Sequence, residues 1–231
     1  MNLLLSIDTA GSRCSVALSD LESGEIFARA EPDIGRGHAE LLMGLVDEIL
    51  ATAGASYADI GKIAVVVGPG SFTGLRVGVA AAKGLALALG IPAVGISSLE
   101  SLAEPHWQAG LPVLAITDAK RGEVYAALFG PGGTGLCAPE ALAPENLAAF
   151  VEAYASGALI VVGTGAAIAA ENLGGLSLRI VNPAGDSDIA AVARLGLARP
   201  AAGPVKPLYL RGADAKPQAA TGILHAPAIL P

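Results

Sequence analysis

The chain has 231 residues, room for one large domain or two small ones, and 53% of them are hydrophobic but only 4% aromatic, so its core must be built from Ala, Leu, Val and Ile. Its net charge of −7 argues against a stand-alone nucleic-acid binder, whose phosphate contacts need a basic surface. Cys14 and Cys137 are far apart and form no CxxC pair, which predicts isolated thiols in a reducing compartment.

The opening residues lack a basic stretch, and Asp8 interrupts their short apolar run, unlike a secretory leader. Residues 2–8 predict a buried strand, with 15–18 and 26–30 as antiparallel partners and turns at Gly11-Ser12 and Ser23-Gly24. Asp8 reads from the residues alone as a turn aspartate holding backbone N–H groups. Gly35-Arg36-Gly37 leads into a helix predicted over 38–53. Its apolar groups, Leu41, Leu42, Met43, Leu45, Val46, Ile49 and Leu50, span an arc of roughly 200°, about twice a usual surface stripe.

The centre of the chain is the string from Val65 to Gly78. A β-branched run ends in Gly68-Pro69-Gly70, and Ser71 or Thr73 caps a helix over 73–89. Such a turn presents N–H groups to anions. It is no Walker A loop, because Leu75 stands where that motif needs lysine. The helix is apolar nearly all round, Arg76 and Lys83 forming its polar seam, and Gly78, Ala82 and Ala86 would admit a close neighbour. The most membrane-like stretches, 77–94 and 158–170, are broken by Lys83 and Pro92 or too short, so a soluble cytoplasmic protein without membrane contact is expected. A strand over 91–96 and a helix over 98–109 complete a first lobe of residues 1–110.

A smaller second lobe, 111–212, repeats the opening: strand 113–118, a turn, strand 123–129, a loop at 131–135, helix 145–155, strand 159–162, a Gly163-Thr164-Gly165 turn, helix 166–173 and helix 189–197, capped by Asp186, Ser187 or Asp188. Asp118, Arg121, Gly122 and Glu123 are its most polar cluster, read from the residues alone as a solvated turn with an Asp118–Arg121 or Glu123–Arg121 pair. A tail, 213–231, is expected to be mobile. The three histidines, His38, His106 and His225, fall at no metal-ligand spacing, and no Ser/His hydrolase elbow is present.

Gly68 to Gly78 resembles the signature of the TsaB (YeaZ) family. Ile7-Asp8-Thr9-Ala10, His38-Ala39-Glu40-Leu41-Leu42, Asp118-Ala119-Lys120-Arg121-Gly122-Glu123-Val124-Tyr125 and Pro207-Leu208-Tyr209-Leu210-Arg211 match in order, with Ala39 where the family usually has Ser. The resemblance implies an α/β chain of two lobes in the actin-like/sugar-kinase/Hsp70-like (ASKHA) class, mixed sheets flanked by helices. It implies a non-catalytic scaffold that pairs with a TsaD-like transferase, joined by a TsaE-like ATPase, in threonylcarbamoylation of the adenosine beside the anticodon of tRNA. The catalytic TsaD paralogue carries a helix-borne histidine pair that this sequence lacks. No cofactor of its own is expected, nucleotide (ATP or ADP) belonging to the complex, with tRNA met only through the complex and a homodimer in isolation. Asp8, Thr9, Gly11, Ser12, Gly68, Gly70, Ser71, Asp118 and Arg121 become the candidates to face a nucleotide or phosphate. His38, Leu41, Leu42, Leu45, Arg76, Val79, Ala82, Lys83 and Ala86 become the candidate partner interface. The alternative is an ATP-dependent small-molecule phosphotransferase of the same fold, with Gly163-Thr164-Gly165-Ala166 near the adenosine.

Overall fold

A computed structural model describes residues 1–185 and 187–211. Asp186 and the tail expected over 213–231 lie outside the described residues. The first sheet contains β1 (Leu3–Asp8), β2 (Ser15–Asp20), β3 (Ile26–Ala30), β4 (Ile60–Gly68) and β5 (Ala93–Ser97), in the order β3-β2-β1-β4-β5. β1 pairs antiparallel with β2 and parallel with β4, so it lies at the centre, and all six of its residues are buried. That is why it reads as a continuous apolar run rather than an alternating one.

The second sheet contains β6 (Val113–Lys120), β7 (Glu123–Phe129), β8 (Glu140–Leu142), β9 (Ala158–Val162) and β10 (Ser177–Val181). Its order, β8-β7-β6-β9-β10, with β6 antiparallel to β7 and parallel to β9, repeats the first. Two copies of this mixed sheet, each flanked by helices, make the actin-like α/β class.

The helices are α1 (His38–Thr52), α2 (Phe72–Leu89), α3 (Ser98–Ala103), α4 (Leu147–Glu152), α5 (Ala166–Asn172) and α6 (Ile189–Ala198). α1 and α2 lie side by side on the outer face of the first sheet, where Leu42, Val46, Ile49, Val79 and Ala82 meet Leu5, Ile7, Val16 and Val65. α4 and α5 cover the outer face of the second sheet. The inner faces are covered crosswise. α3 packs on β6 and β7, whereas α6 packs on β1, β2, β4 and β5. Each sheet has an apolar inner face to hide, and Ile189, Val192, Ala193 and Leu195 of α6 match Leu4, Ala17, Ala64 and Val66. Arg194 ties α6 to Glu104 beyond α3 through paired bonds of 2.6 and 2.7 Å, and Arg199 pairs with Glu100. α6, which falls within residues 111–212 of the sequence-based division, thus packs on the first sheet.

Three element readings change. The helix expected over 98–109 stops at Ala103 and continues as a 3-10 turn over Glu104–Ala109, because Pro105 has no N–H to extend the α pattern. The helix expected over 145–155 is a 3-10 turn, Pro144–Asn146, followed by the short α4. β8 and β10, both sheet edges, are additional. Among the described residues Asp188 caps α6, accepting the Ala190 N–H at 2.9 Å. Both cysteines are free, and burial pushes the Cys14 thiol up to about 11.

Candidate functional site

The glycine string is a packing device. Ser71 caps α2 by accepting the Gly74 N–H. The first turn of α2 then closes on the β1–β2 hairpin: Ser71 N–H bonds Ala10 O at 2.8 Å, and the Thr9 hydroxyl donates to Gly74 O at 2.7 Å. A Cβ on Gly70 would lie 2.7 Å from Ala10 O, one on Gly74 would overlap Thr9 O, and one on Gly78 would overlap the Thr9 hydroxyl. Gly68 alone of these has positive φ, 114°, and a Cβ there would meet Leu208 O. The Ser71 N–H is thus spent on the neighbouring hairpin and the Gly74 N–H on the helix cap, and Thr9 is fully buried.

A cavity of about 440 Å³ remains between the lobes, bringing together Asp8, Gly11, Ser12, Gly70, Ser71 and Asp118 of the predicted set. Arg121 is not among its walls, and Gly68 and Thr9 are not either. Thr164, from the turn offered for adenosine, lines it too, whereas sequence reasoning missed Arg13, Ser98, Lys120 and Ser187. Ser98 donates to Pro69 O, and the hydroxyls of Ser101 and Ser187 meet at 3.0 Å, joining α3 to the approach of α6. Serines scattered over 89 positions carry no local signal; only the crossed helices collect them.

The cavity's two aspartates differ. Asp8 is 7% exposed and accepts the Ala10 N–H at 2.8 Å. Burial raises its pKa, opposed by that hydrogen bond. Asp118 accepts the Lys120 N–H at 2.7 Å and pairs with the Lys120 ammonium at 2.8 Å, which lowers its pKa. Lys120 replaces Arg121 in the expected ion pair, and Glu123 pairs with Arg211. Residues 120–122 all have positive φ, which turns the Lys120 head back toward Asp118. Among the described residues no three His, Cys, Asp or Glu side chains converge to hold a metal ion.

The helix pair presents part of the predicted set and buries the rest. His38, Leu42, Leu45, Val79 and Ala82 are buried in the chain's own core, so they are not available to a partner. His38 bonds Arg13 O through Nε2 at 3.1 Å, at the foot of the first hairpin. Ala82 is 0% exposed. Leu41 and Ala86 are half-buried, and Arg76 and Lys83 are exposed. The outer stripe of α2 is Ala80, Gly84 and Leu87, at helical spacing, with Leu87 86% exposed; Met43 and Gly44 are exposed on α1.

A second groove, of about 510 Å³, lies between the start of α2, the β6–β7 turn and the segment 208–211. Leu208 N–H bonds Val67 O at 2.7 Å, and Arg211 reaches Lys120 O at 2.8 Å, so this segment straps the two lobes together.

A family model described as TsaD, tRNA N6-adenosine threonylcarbamoyltransferase, matches residues 32–171. The chain is similar to the tRNA threonylcarbamoyladenosine biosynthesis protein TsaB of Escherichia coli, 39% identical over 168 residues that cover 70% of this chain and 71% of that protein. Among solved structures it is similar to YeaZ from Pseudomonas aeruginosa, with a TM-score of 0.72, 30% identity and coverage of 91% of this chain and 100% of that one. An uncharacterized protein with similarity to the peptidase YeaZ, also from Pseudomonas aeruginosa, gives a TM-score of 0.78 at 29% identity, with the same coverage.

Proposed function

The chain belongs to the TsaB (YeaZ) family, which acts in tRNA threonylcarbamoyladenosine biosynthesis, and on that premise we propose that it is a non-catalytic scaffold that holds a TsaD-like transferase in its competent conformation. The transferase makes the new bond at the N6 amine of the adenosine beside the anticodon. A TsaE-like ATPase joins the pair in the cytoplasm. tRNA is engaged through the assembly, any nucleotide belongs to it, and this subunit needs no cofactor of its own. In isolation a second copy occupies the same face, giving an isologous dimer.

The observation that carries this reading is the outer face of α1 and α2. In an acidic chain it leaves Met43, Gly44, Ala80, Gly84 and Leu87 in water, where small residues allow helices to approach closely. For the phosphotransferase alternative the cavity gathers Asp8, Asp118 and Thr164, but one Asp8 oxygen accepts from its own turn and Asp118 is paired with Lys120.

The test compares two substitutions by circular dichroism, analytical ultracentrifugation and co-purification with a TsaD-like chain. Leu87→Glu is expected to melt within about 0.5 kcal/mol of the parent and to weaken both assemblies at least about tenfold, the loss of one buried leucine being worth ~1.5–3 kcal/mol. Ala82→Glu is expected to unfold, because it buries an unpaired carboxylate in the chain's own core. A folded Leu87→Glu protein that dimerises and binds the transferase normally rejects this face.

A further inference from the structure

α1 and α2 leave opposite charges in water. α1 holds Glu40, Asp47 and Glu48 and no Lys or Arg; α2 holds Arg76 and Lys83 and no Asp or Glu. All five are exposed. At about 100° per residue, Glu40, Gly44, Asp47 and Ala51 form one exposed stripe of α1, and Arg76, Ala80, Lys83 and Leu87 form one of α2. The two stripes share one spacing: a charge, a small residue four positions on, and a second charge at seven. Seven residues set the charges about 10.5 Å apart on either helix.

Nothing within the chain accounts for this match. Among the described residues no ion pair joins the stripes, and the Glu40 and Lys83 side chains make no hydrogen bond. Asp47 accepts from the Tyr57 hydroxyl, and Arg76 donates to Tyr209 through Nε alone. Gly44 weakens an exposed helix interior relative to alanine, yet a Cβ there would meet nothing within 4 Å, and the same holds at Gly84. A net charge of −7 makes two copies repel at a distance, so a face that receives a second copy needs local attraction.

Symmetry allows two pairings. α1 joins β3 to β4 and α2 joins β4 to β5, and these strands run the same way, so the two helices do too. A two-fold axis along the helices sets α1 of each copy against α2 of the other, with Glu40 opposite Arg76 and Asp47 opposite Lys83, each twice. A two-fold axis across them sets α1 on α1 and α2 on α2, like charge on like. We propose that Glu40, Asp47, Arg76 and Lys83 select the first pairing, so that a second copy lays its basic stripe on the acidic one. This rests on the helix face assigned above to assembly, and adds to it the arrangement and the residues that choose it.

The experiment is analytical ultracentrifugation of the full chain. Asp47→Lys and Lys83→Glu, at exposed positions, are expected to keep the parent's circular dichroism and melting transition. Each should weaken self-association about tenfold, because two opposite-charge pairs become like-charge pairs in every dimer. Glu40→Lys, which breaks no bond within the chain, should act likewise. Mixed in equal amounts, Asp47→Lys and Lys83→Glu should associate about as tightly as the parent, since the mixed dimer has opposite charges at both contacts. Added salt should weaken the parent and mixed dimers alike. Leu87→Glu in the same runs separates the two claims. If it weakens association while the charge variants match the parent, or while the mixture fails to recover, the face stands and the pairing is overturned. Tighter self-association of Asp47→Lys also overturns it, by setting α1 on α1. A monomeric parent, or a dimer that Leu87→Glu leaves intact, overturns both.

Discussion

Asp8 and Asp118 are the sixth residues of β1 and β6, the same place in two copies of one topology. Each accepts the backbone N–H two residues on. There the likeness ends. Asp8 is sealed beneath the first turn of α2 and its pKa is raised; Asp118 faces water with Lys120 beside it and its pKa is lowered. What separates them is the packing of the following turn, for the hydrogen-bonding motif is the same. Gly70, Gly74 and Gly78 let α2 sit directly on residues 9–10, whereas among the described residues no helix sits on the turn after Asp118. One hairpin has become part of the core, and the other has kept a surface.

The strongest way to break this contrast is to push the first hairpin open. Gly74→Val would drive a side chain into Thr9 O, a backbone atom that cannot swing aside. The expected loss is about 4 kcal/mol, or roughly 8–16 °C in Tm for a chain of this size. The matching change in the second hairpin is Gly122→Ala. Its φ is 77°, but nothing lies within 4 Å of a new Cβ, so only the left-handed strain remains, about 1 kcal/mol. Differential scanning calorimetry of the two variants checks the ratio. Equal losses would mean that the two turns are equally open.

The hairpins were legible because turn residues punctuate apolar runs at β1–β2 and β6–β7. The edge strands were not. β8 is three residues long, and β10 shows only the brief alternation of Leu178, Arg179 and Ile180 after Gly174-Gly175. Pro105 is the local signal for the end of α3, because it lacks the N–H that would continue the helix. The burial of Leu42, Leu45, Val79 and Ala82 was hidden for a different reason. In a helix that is apolar nearly all round, the pattern holds no direction, so Ala80 and Ala82 are equivalent in sequence and opposite in space. The cavity was half legible: Asp8 and Gly70 were marked by their turns, but Ser98, Ser101 and Ser187 come together only through the crossed helices.

A smaller effect separates the aspartates by titration. Because Asp8 is held above the ordinary carboxylate value of 3.8 when folded, it favours the folded state fully only below that value. This contribution is lost as pH rises through its raised folded pKa. Asp8→Asn keeps an oxygen for the Ala10 N–H and removes the titration. Urea unfolding between pH 4 and pH 8 should therefore show the variant gaining on the parent as pH rises. A difference that stays flat across that range would mean that Asp8 is not desolvated.

The smallest effect belongs to Asp118, and it runs the other way. Its folded pKa lies below 3.8, pulled down first by the Lys120 side chain and then by the Lys120 N–H. It therefore contributes stability above its unfolded value, and that contribution disappears as pH falls through the folded pKa. Its side chain is 31% exposed and its partner still more so, and exposed pairs of this kind are worth ~0–1 kcal/mol. Asp118→Asn should thus cost at most about 1 kcal/mol at pH 7 and nothing well below pH 3. Salt should shrink the pH 7 difference, since the pair is screened, while leaving the Asp8→Asn profile nearly unchanged, since burial rather than a partner charge sets it. Urea titrations of both variants at low and high ionic strength make that comparison. If Asp8→Asn proves as salt-sensitive as Asp118→Asn, the first hairpin is open to water and the two copies differ less than their packing indicates.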